Sequence, residues 1–490
     1  MYLSRRSLVT TTAALATGLA LAPPASRPAR AAGRKTLRLV SRVIEVNGKP
    51  ATRYGVQQQP SGPWGLTLDE GDTFDVRLEN GLDVLSGLHW HGLNPPWRQD
   101  GVPYISGPPI APGKFADYTF PAQPVGTRWM HSHFGLQEQN LLAAPLIVRE
   151  QSAIKSGLQE VVVLLEDFSW RKPSLIFEEL RKPRPMAAMG GPSGGMSGGM
   201  SSMSRGGMNM PGMTMPASGG MDLNDVTYDA FLANDRTLAD PQVVDVDKGA
   251  EVRLRIINAA ASTNFMIDLG NVEGTVLTVD GNPVAPMKVR QFPLAIAQRV
   301  DIAVRLPADG SALPVLARGE GLTRQAGVVL RPRGAPVTKI SETADTAAAA
   351  LGLMEEMKLR AAQPLPSRPI DRSVPVDLTG NMMGYVWGMA VHGMEAVPVG
   401  VEKGERVELV MRNTTMMAHP MHLHGHSFQV TEVNGQAFAG AVRDVVLVPP
   451  RATVKVVFDA DNPGLWACHC HNLYHMAAGM FATVVYRGFT

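Results

Sequence analysis

Cysteine is almost absent from this chain, whose 490 residues include only Cys468 and Cys470. These two residues lie two positions apart on one predicted strand, and we expect them to point to opposite faces and to be poor disulfide partners. Cys468 is then expected to be a buried spectator. The scarcity of cysteine excludes the class of exported proteins that are held together by disulfides.

Long apolar runs and an excess of charge are also missing. Lys and Arg total 46 against 44 Asp and Glu, which gives a formal net charge of +2. A chain this close to neutrality lacks the basic surface of a nucleic-acid-binding protein, so no nucleic-acid partner is expected. No segment reaches the length of a transmembrane helix, so no membrane anchor is expected.

The amino terminus has the composition of an export signal. Arg5 and Arg6 precede an apolar run that ends at Ala22, and an Ala-Arg-Ala sequence at 29–31 is a plausible cleavage site. The paired arginines predict a twin-arginine signal over 1–31, export by the twin-arginine machinery and a periplasmic location. This segment carries four arginines and no acids, so its removal lowers the net charge from +2 to −2.

One strand pattern occurs three times along the chain. In each copy an alternating strand runs from a turn glycine to an asparagine nine residues later, at 71–80, 249–258 and 404–413. A second repeated segment follows each copy, at 112–120, 297–306 and 450–458. Repetition at this spacing predicts an all-β protein made of three related sandwich domains.

The repeat divides the chain into three domains and a connecting segment. The predicted domains cover 34–150, 158–335 and 371–490. The segment 336–370 contains an alanine-rich, helix-prone stretch at 343–362 followed by prolines. It is the expected interdomain linker.

Histidine is concentrated in four short clusters that hold ten of the twelve histidines, and only His392 and His426 lie outside them. The clusters read HWH at 89–91, HSH at 131–133, HPMHLH at 419–424 and HCHNLYH at 469–475. On an extended strand Cys470 points to one face while its two neighbouring histidines point to the other. A thiolate, histidines and a distant thioether such as that of Met480 form the ligand set of a blue-copper site.

Two histidine pairs occupy equivalent positions in the first and third domains. The first pair begins nine residues after the repeated asparagine, and the second begins five residues after a glycine late in each domain. These eight histidines are His89, His91, His131, His133, His422, His424, His469 and His471. Eight imidazoles related by a pseudo-twofold axis can enclose a multinuclear cluster between the two domains, and neutral imidazole suits copper.

The other candidate ligands belong to the third domain alone. His419, Cys470, His475 and Met480 align with Ser86, Ser132, Gln137 and Leu142 of the first domain. The first domain is therefore expected to lack a mononuclear metal site. The second domain has Asn264 in place of His419 and no histidine, so we expect it to be a spacer between the other two.

These motifs resemble those of the three-domain multicopper oxidases, and the layout is similar to that of the bacterial cuprous oxidases and copper-resistance oxidases. The motifs HWHG, HSH, HPMHLHG and HCHNLYHMAAGM are all present. The resemblance implies three cupredoxin-like Greek-key β-sandwich domains and four copper ions: one type 1, one type 2 and a type 3 pair. It also implies that substrate electrons enter at the type 1 site and pass through Cys470, and that dioxygen is reduced to water at the trinuclear cluster.

The resemblance further implies which residues hold each copper ion. The type 1 ligands would be His419, Cys470, His475 and Met480. The type 2 ligands would be His89 and His422. The type 3 ligands would be His91, His131 and His471 on one ion, and His133, His424 and His469 on the other.

Proton supply to such a cluster requires nearby acids. Asp100, eleven residues after His89, matches the family's acidic position beside the type 2 copper and joins Cys470 as a predicted catalytic residue. Some cuprous oxidases carry a glutamate directly after the second type 1 histidine, where this chain has Met476. Glu138 is a candidate substitute, although we expect it to be a surface carboxylate.

Methionine is concentrated in a stretch from 186 to 221 that is otherwise rich in glycine, serine and proline. Its ten methionines are Met186, Met189, Met196, Met200, Met203, Met208, Met210, Met213, Met215 and Met221. Thioether is a soft ligand that favours Cu(I), so this predicted surface loop of the second domain is a candidate Cu(I)-binding loop. A tolerated disordered insertion is the alternative. A second group, for most of which core packing is expected, comprises Met382, Met383, Met389 and Met394, with His392.

We therefore predict an exported oxidase that takes single electrons from a small reductant and delivers four to dioxygen. Cu(I) is the favoured reductant, which would make the protein a cuprous oxidase in copper tolerance. A laccase-like oxidase with a phenolic reductant is the alternative. A non-catalytic copper-sequestering protein is a third hypothesis, but an inactive relative would be expected to have lost ligands, and here every one is present.

Overall fold

Strands dominate the computed structural model, which describes residues 33–59, 62–182, 223–395 and 397–489. They form three successive pairs of β-sheets, which we call the first (35–149), second (159–332) and third (372–486) sheet pairs. The predicted signal at 1–31 and the methionine stretch at 186–221 lie outside the described residues. None of the helices in the described ranges is long and apolar enough to cross a membrane.

The first sheet pair contains two four-stranded sheets. Its strands are β1 (Lys35–Val46), β2 (Lys49–Gln58), β3 (Leu66–Asp69), β4 (Thr73–Asn80), β5 (Leu88–His91), β6 (Phe115–Pro121), β7 (Gly126–Ser132) and β8 (Ala143–Arg149). The sheet orders are β2-β1-β4-β6 and β3-β8-β7-β5. Along β4 the buried residues Phe74, Val76 and Leu78 alternate with less buried ones, so one face of the strand packs on the core.

The second sheet pair contains a six-stranded and a five-stranded sheet, preceded by a short helix α1 (Gln151–Ser156). Its elements are β9 (Gln159–Phe168), α2 (Pro173–Leu180), β10 (Ala230–Ala233), β11 (Val243–Val246), β12 (Glu251–Asn258), β13 (Phe265–Asp268), β14 (Gly274–Val279), β15 (Asn282–Val289), β16 (Gln291–Leu294), β17 (Arg299–Arg305), β18 (Leu313–Gly319) and β19 (Gln325–Pro332). The sheet orders are β10-β9-β12-β17-β14-β15 and β11-β19-β18-β13-β16.

The third sheet pair contains an eight-stranded and a five-stranded sheet. Its elements are β20 (Arg372–Asn381), β21 (Val386–Val391), β22 (Met394–Glu395), β23 (Val399–Val401), β24 (Arg406–Asn413), β25 (His419–Leu423), β26 (Phe428–Val433), β27 (Gln436–Ala437), β28 (Val442–Arg443), β29 (Val445–Val448), β30 (Thr453–Asp459), β31 (Leu465–Cys470), α3 (Leu473–Ala477) and β32 (Phe481–Tyr486). The sheet orders are β22-β21-β20-β24-β30-β26-β27, with β28 beside β26, and β23-β32-β31-β25-β29.

The repeated sequence patterns form the same strand pairs three times. The first pattern becomes β4, β12 and β24, and the second becomes β6, β17 and β30. Each first-pattern strand pairs antiparallel with its second-pattern strand and parallel with an earlier strand, β1, β9 or β20. The prediction of an all-β protein built from repeated sandwiches is confirmed.

The three sheet pairs also share apolar contacts. The second and third pairs contribute to one continuous core, and the first pair has its own. A small cluster joins all three, with Trp129 from the first pair, Leu164 and Ile257 from the second, and Val445 from the third. Because interiors pack as densely as organic crystals, this cluster fixes the first pair against the third.

The helix-prone stretch at 343–362 does not form an α-helix. The stretch holds only a 3-10 turn at Glu356–Lys358, while Thr343 and Ala348 make isolated bridges to Arg324 and Glu320 of the second sheet pair. The backbone N–H of Leu351 donates to the Glu320 carboxylate at 2.6 Å. These tertiary contacts hold the backbone in an irregular conformation and override the helix propensity of alanine. Two further 3-10 turns lie at Trp97–Gln99 and Gln137–Asn140.

Candidate metal centre

Eight imidazoles converge between the first and third sheet pairs because the strand register repeats there. In the first pair β5 runs antiparallel to β7, with His89 opposite His131. In the third pair β25 runs antiparallel to β31, with His422 opposite His469 at the equivalent positions. Seven of the eight histidines are buried, and His133 is partly buried.

The structure brings these histidines into groups whose nitrogen atoms lie within 4.8 Å of one another. The groups are His89, His91 and His422; His91, His131 and His471; and His133, His424 and His469. The last two are the sets that the resemblance to multicopper oxidases implies for the two ions of a type 3 pair. His91 also approaches His89 and His422, so the three groups form one continuous cluster.

In each of these rings one nitrogen faces away from the cluster and the other faces into it. The hydrogen-bond partner of the outer nitrogen determines whether the inner nitrogen can bind a metal ion. Nδ1 of His424 lies 2.8 Å from Asp100 Oδ2, and Nδ1 of His469 lies 2.9 Å from the carbonyl oxygen of Cys470. Both partners accept hydrogen bonds, so we assign the protons to Nδ1, which leaves each Nε2 with a bare lone pair. These two Nε2 atoms face each other at 3.0 Å. Two bare lone pairs at this distance repel, and a cation between them removes the repulsion, so the residues present fit a metal ion.

Other inner nitrogens of the cluster support the same conclusion. Nε2 of His131 faces Nε2 of His471 at 3.3 Å, and Nε2 of His133 faces Nε2 of His469 at 3.2 Å. Within the described part of the chain, the buried Nε2 atoms of His89 and His422 have no hydrogen-bond partner. The Nδ1 atoms of both rings instead bind backbone carbonyl oxygens of Asp100 and Asp444, at 3.0 and 2.7 Å. Outer partners of this kind orient histidines that bind metals.

Burial keeps most of these histidines neutral. It lowers the pKa of His469 to about 4 and the pKa of His91, His131 and His422 well below the ordinary value. The other histidines of the cluster act as further positive neighbours and push in the same direction for most of these rings. Neutral imidazole is the form that binds metal ions, so the cluster is ready for copper at physiological pH.

A separate group lies in the third sheet pair, where Cys470 meets two histidines. Its Sγ lies 3.7 Å from Nδ1 of both His419 and His475, and these two nitrogens lie 3.1 Å apart. The side chain of Met480 is fully buried in the same core. Asn472 caps α3 by accepting hydrogen bonds from two backbone N–H groups, one of which is that of His475. The cap therefore fixes where this histidine lies.

The outer nitrogens of this second group have two partners that sequence reasoning missed. Nε2 of His419 lies 2.8 Å from Thr415 Oγ1, and Nε2 of His475 lies 2.8 Å from Asp225 Oδ2. Burial alone would raise the pKa of Asp225, but His475 and hydrogen bonds from neighbours hold it below the ordinary value. Asp225 comes from the second sheet pair, 250 residues before His475, and no sequence signal links the two.

Cys470 and Cys468 are both buried free thiols in one apolar core. The expectation that they face opposite sides is wrong, because side chains two residues apart on a strand share a face. They are still poor disulfide partners, since two strand residues span about 6.6 Å, near the limit for a disulfide. Burial raises the pKa of Cys468 to about 12 and also raises the pKa of Cys470.

The first sheet pair fills the position equivalent to this group with hydrogen bonds. Oε1 of Gln137 accepts from Ser86 Oγ at 2.7 Å and from Ser132 Oγ at 2.8 Å, and Leu142 is fully buried. These are the residues that align with the candidate ligands of the third domain. In the second sheet pair Asn264 donates to Glu320 at 2.7 Å instead of facing a metal.

Three buried carboxylates contact the eight-histidine cluster. Asp100 contacts His424 as described and lies 3.1 Å from His89 Nδ1. Glu138 is 4% exposed and lies 2.9 Å from His131 Nδ1, so the expectation of a surface carboxylate is wrong. The 3-10 turn after β7 folds it back beneath the strand, and burial raises its pKa well above the ordinary value. Asp444, which sequence reasoning missed, lies 3.0 Å from His91 Nε2.

Asp444 also connects the second sheet pair to the cluster. Nη1 of Arg299, on β17, donates to Asp444 Oδ1 at 2.6 Å, and its second nitrogen donates to Oδ2. Arg128 of the first pair lies 3.5 Å from the same carboxylate. The second sheet pair is therefore more than a spacer, since its arginine holds the carboxylate that contacts His91.

The smaller methionine group is divided between core and surface. Met389 is buried and Met382 packs partly against the core, as expected. Met383 and Met394 are more than half exposed, so the prediction of core packing is wrong for these two residues. Met383 lies in the turn between β20 and β21 and Met394 on an edge strand, where neither can reach the interior. His392 is exposed as well.

Known proteins resemble the chain along most of its length. Multicopper oxidase family models match residues 41–153, 199–324 and 367–488. The multicopper oxidase MmcO of Mycobacterium tuberculosis is 30% identical, over 97% of this chain and 95% of its own length. A copper resistance protein A homolog of Pseudomonas syringae pv. tomato is 27% identical, over 90% of each chain.

A solved structure shares the fold. The crystal structure of a multicopper oxidase from Pseudomonas thermotolerans has a TM-score of 0.66 and 22% sequence identity, and the match covers 93% of this chain and 99% of that one. At this identity the likeness concerns the fold alone. The family matches and the similarity to MmcO go further, and together they show that the chain belongs to the multicopper oxidases, oxidoreductases that hold four copper ions.

Proposed function

We propose that this oxidase takes its electrons from Cu(I) and serves copper tolerance. Four Cu(I) ions would each lose one electron, and one dioxygen would take up the four electrons with four protons to give two waters. The names of relatives at 26 and 27% identity, copper resistance protein A and its homolog, support this substrate. The thioether-rich stretch at 186–221 supports it independently, because thioethers favour Cu(I).

We propose the following ligands for the four ions, on the basis of the groups described above. The type 1 copper is held by His419, Cys470, His475 and Met480. The type 2 copper is held by His89 and His422. The type 3 pair is held by His91, His131 and His471 on one ion and by His133, His424 and His469 on the other.

Bound copper supplies one-electron redox chemistry at the first site and dioxygen reduction at the second. The chain's own contribution is to hold and connect these sites. Cys470 lies between His469 and His471 in sequence, so a few covalent bonds connect the thiolate to ligands of both ions of the type 3 pair. Asp100 holds His89 and His424 at once, which couples a type 2 ligand to a type 3 ligand, and it is the proposed proton source.

The observation that carries the Cu(I) proposal is a cavity beside Asp225, the residue that contacts His475. The cavity has a volume of about 330 Å³, and its lining consists of Arg171, Ile176, Glu179, Leu180, Asp225, Val226 and Thr227. Arg171 is paired with Glu179 at 2.6 Å. The two segments that form this lining lead into and out of the methionine stretch. Asp225 is fully buried, and within the described residues its Oδ1 has no hydrogen-bond partner. A carboxylate that attracts cations thus lies behind the wall of the cavity, and its Oδ2 is 2.8 Å from Nε2 of the type 1 ligand His475.

The same cavity supports a laccase-like activity as the second candidate. Its apolar side chains, Ile176, Leu180 and Val226, can contact an aromatic ring. A phenol gains nothing from thioethers, whereas Cu(I) does. The two candidates therefore differ in their dependence on the methionine stretch.

Deletion of residues 189–215 separates the two substrates. Many weak thioethers keep the local concentration of Cu(I) high, so their loss should raise the apparent KM for Cu(I) several-fold. Oxidation of a bulky phenol should stay unchanged or become faster. Steady-state oxygen uptake with Cu(I) and with a phenol, in wild type and deletion variant, measures both. A matched control replaces the eight methionines of residues 189–215 with leucine and keeps the length. Equal Cu(I) oxidation in all three proteins would favour the laccase-like activity.

We also propose that residues 1–31 direct export to the periplasm through the twin-arginine machinery. Arg5 and Arg6 are the residues on which this depends. Replacement of both by lysine should leave the protein in the cytoplasm, as measured by fractionation of cells that express the full chain. Export that persists after this change would contradict the proposal.

A further inference from the structure

A cavity of about 670 Å³ lies between the first and second sheet pairs, and none of the proposed copper ligands lines it. One wall is β9, where Val162, Leu164 and Glu166 share a face because strand side chains alternate. The intervening residues Val161, Val163 and Leu165 face the core of the second pair. The facing wall belongs to the first sheet pair and includes Pro145 and Arg42.

Glu166 has no partner for its carboxylate in this cavity. It is 1% exposed, and neither Oε1 nor Oε2 makes a hydrogen bond within the described residues. Asp235, on the rim, pairs one oxygen with Arg42, and its Oδ1 likewise has no partner there. Three carboxylate oxygens therefore lack donors. Burying a carboxylate without donors is costly, so the arrangement points to a ligand.

The charge of the lining favours a cation. Arg42 is paired with Asp235, and Arg236 is paired with Asp240 at 2.6 Å. Glu166 is then the one charged residue of the lining that no basic side chain pairs with, among the residues the structure describes. With Glu166 ionised, as it would be beside a bound cation, the lining has a net charge of −1, which disfavours an anion.

The backbone around the cavity is held in a fixed and uncommon conformation. Asn234 and Asp235 have φ angles of +52° and +67°, in the left-handed region. The Asn234 side chain accepts from the N–H of Leu164 at 2.7 Å and donates to the carbonyl oxygen of Val162 at 2.8 Å. Local strain of this kind is found at ligand sites, and the two hydrogen bonds fix the turn that carries Asp235 against β9.

We propose that this cavity binds a small organic amine in its ammonium form, with the ammonium group at Glu166 and Asp235 and the hydrocarbon part against Val162, Leu164 and Pro145. An ammonium group has three donors and no acceptor, which matches three carboxylate oxygens without donors. A bare metal ion fits less well, since none of the potential metal-binding groups in the described residues includes Glu166 or Asp235. The apolar wall would also contribute nothing to a metal ion.

The ionisation of Glu166 is consistent with such a ligand. Burial raises its pKa well above the ordinary value, the nearby Asp235 raises it further, and Arg42 acts in the opposite direction. A bound cation would lower that pKa and stabilise the carboxylate. The site is separate from electron transfer, and its floor residue Ala143 lies opposite His131 on the neighbouring strand.

Calorimetric titration of the copper-loaded mature protein with benzylamine, benzyl alcohol and benzoate tests the proposal. These probes have nearly the same shape and differ in charge and donors. Benzylamine should bind saturably, and the alcohol and the carboxylate at least tenfold more weakly. Glu166→Gln, which keeps the side-chain shape, should weaken benzylamine binding at least tenfold. Glu273→Gln, an exposed acid of the same sheet pair, is the matched control and should change nothing.

Two further measurements keep the test decisive. Asp235→Asn should weaken benzylamine binding several-fold, which provides an answer if Glu166→Gln does not fold. Titration with Mg²⁺ and Zn²⁺ tests whether the cavity binds a metal ion instead of an amine. The proposal is overturned if wild type does not bind benzylamine, if both acid variants bind it as wild type does, or if only a metal ion binds in a manner that depends on Glu166.

Discussion

Single carboxylates hold pairs of histidines in this protein. Asp100 contacts His89 and His424, while Asp444 contacts His91 with its side chain and His422 with its carbonyl oxygen. In each pair one histidine comes from the first sheet pair and the other from the third. Each aspartate, through its carboxylate and its backbone carbonyl oxygen, therefore fixes the tautomers of its two histidines and connects the two halves of the cluster.

Cys470 is the residue whose replacement has the most visible effect. A thiolate bound to Cu(II) gives an intense blue absorption, so Cys470→Ser should abolish the colour of the copper-loaded protein. Cys468→Ser is the matched control, since it removes a buried thiol two residues away in the same core. Visible absorption spectra measure both variants. Blue colour that survives in Cys470→Ser, or disappears in Cys468→Ser, would contradict the proposed type 1 ligands.

The raised pKa of Glu166 predicts that the difference in stability between wild type and Glu166→Gln depends on pH. Its pKa is raised in the folded state, so the folded protein binds its proton more tightly than the unfolded chain does. The favourable contribution is present below the unfolded pKa and is lost as pH rises through the folded pKa, by up to about 1.4 kcal/mol per pH unit. Glu166→Gln removes this loss, so its stability relative to wild type should rise with pH. Urea unfolding of the metal-free proteins at pH 5, 6.5 and 8 measures the difference.

The matched control for this comparison is again Glu273→Gln. Its side chain is 54% exposed, so its stability relative to wild type should not vary with pH. A stability difference for Glu166→Gln that stays constant or falls between pH 5 and pH 8 would show that the carboxyl group is not destabilised by burial.

The strands that carry the cluster could be predicted because the same sequence pattern recurs at equivalent positions along the chain. The asparagines Asn80, Asn258 and Asn413 end equivalent strands, and counting from them places the histidine pairs at equivalent positions. The domain boundaries at 34–150, 158–335 and 371–490 stay a prediction. Asp225, Thr415 and Asp444 could not be found in this way, because each acts through a contact between distant strands rather than through a local pattern.

Other differences from the sequence predictions have the same physical origin. Bridges to the second sheet pair hold the alanine-rich stretch at 343–362 in an irregular conformation, and helix propensity does not predict these contacts. The position of Glu138 depends on a 3-10 turn that reverses the chain after β7. Local sequence thus predicts the strand and its ligands, while the partners of those ligands depend on how the three sheet pairs pack.

Strand β17 contributes the arginine that links the second sheet pair to the cluster. Arg299→Met should leave Asp444 buried without its main partner, and should lower the free energy of unfolding by about 3–5 kcal/mol. Arg305→Met, on the same strand, is the control, because its pair with Glu251 is exposed and is worth at most about 1 kcal/mol. Urea unfolding of the metal-free proteins measures both changes. Equal small losses would mean that Arg299 does not hold the interface.

At the scale of the whole molecule, the proposed electron-entry site and the proposed oxygen-reducing cluster are separate. The proposed type 1 group lies within the third sheet pair, and the eight-histidine cluster lies between the third and first pairs. The first pair has replaced its own mononuclear position by the hydrogen bonds of Ser86, Ser132 and Gln137. In the proposed mechanism, electrons enter on the side of the molecule that carries Asp225, and dioxygen is reduced at the interface between the sheet pairs.

The central claim is that Cys470 connects an electron-entry site to a separate oxygen-reducing cluster, and His91→Ala tests it most directly. Mixing the copper-loaded variant with Cu(I), or with a phenol, under air allows blue absorbance and oxygen uptake to be followed together. The account predicts that the blue colour is lost as the type 1 site is reduced, while oxygen uptake falls at least a hundredfold below wild type. Oxygen uptake near the wild-type rate would contradict the account.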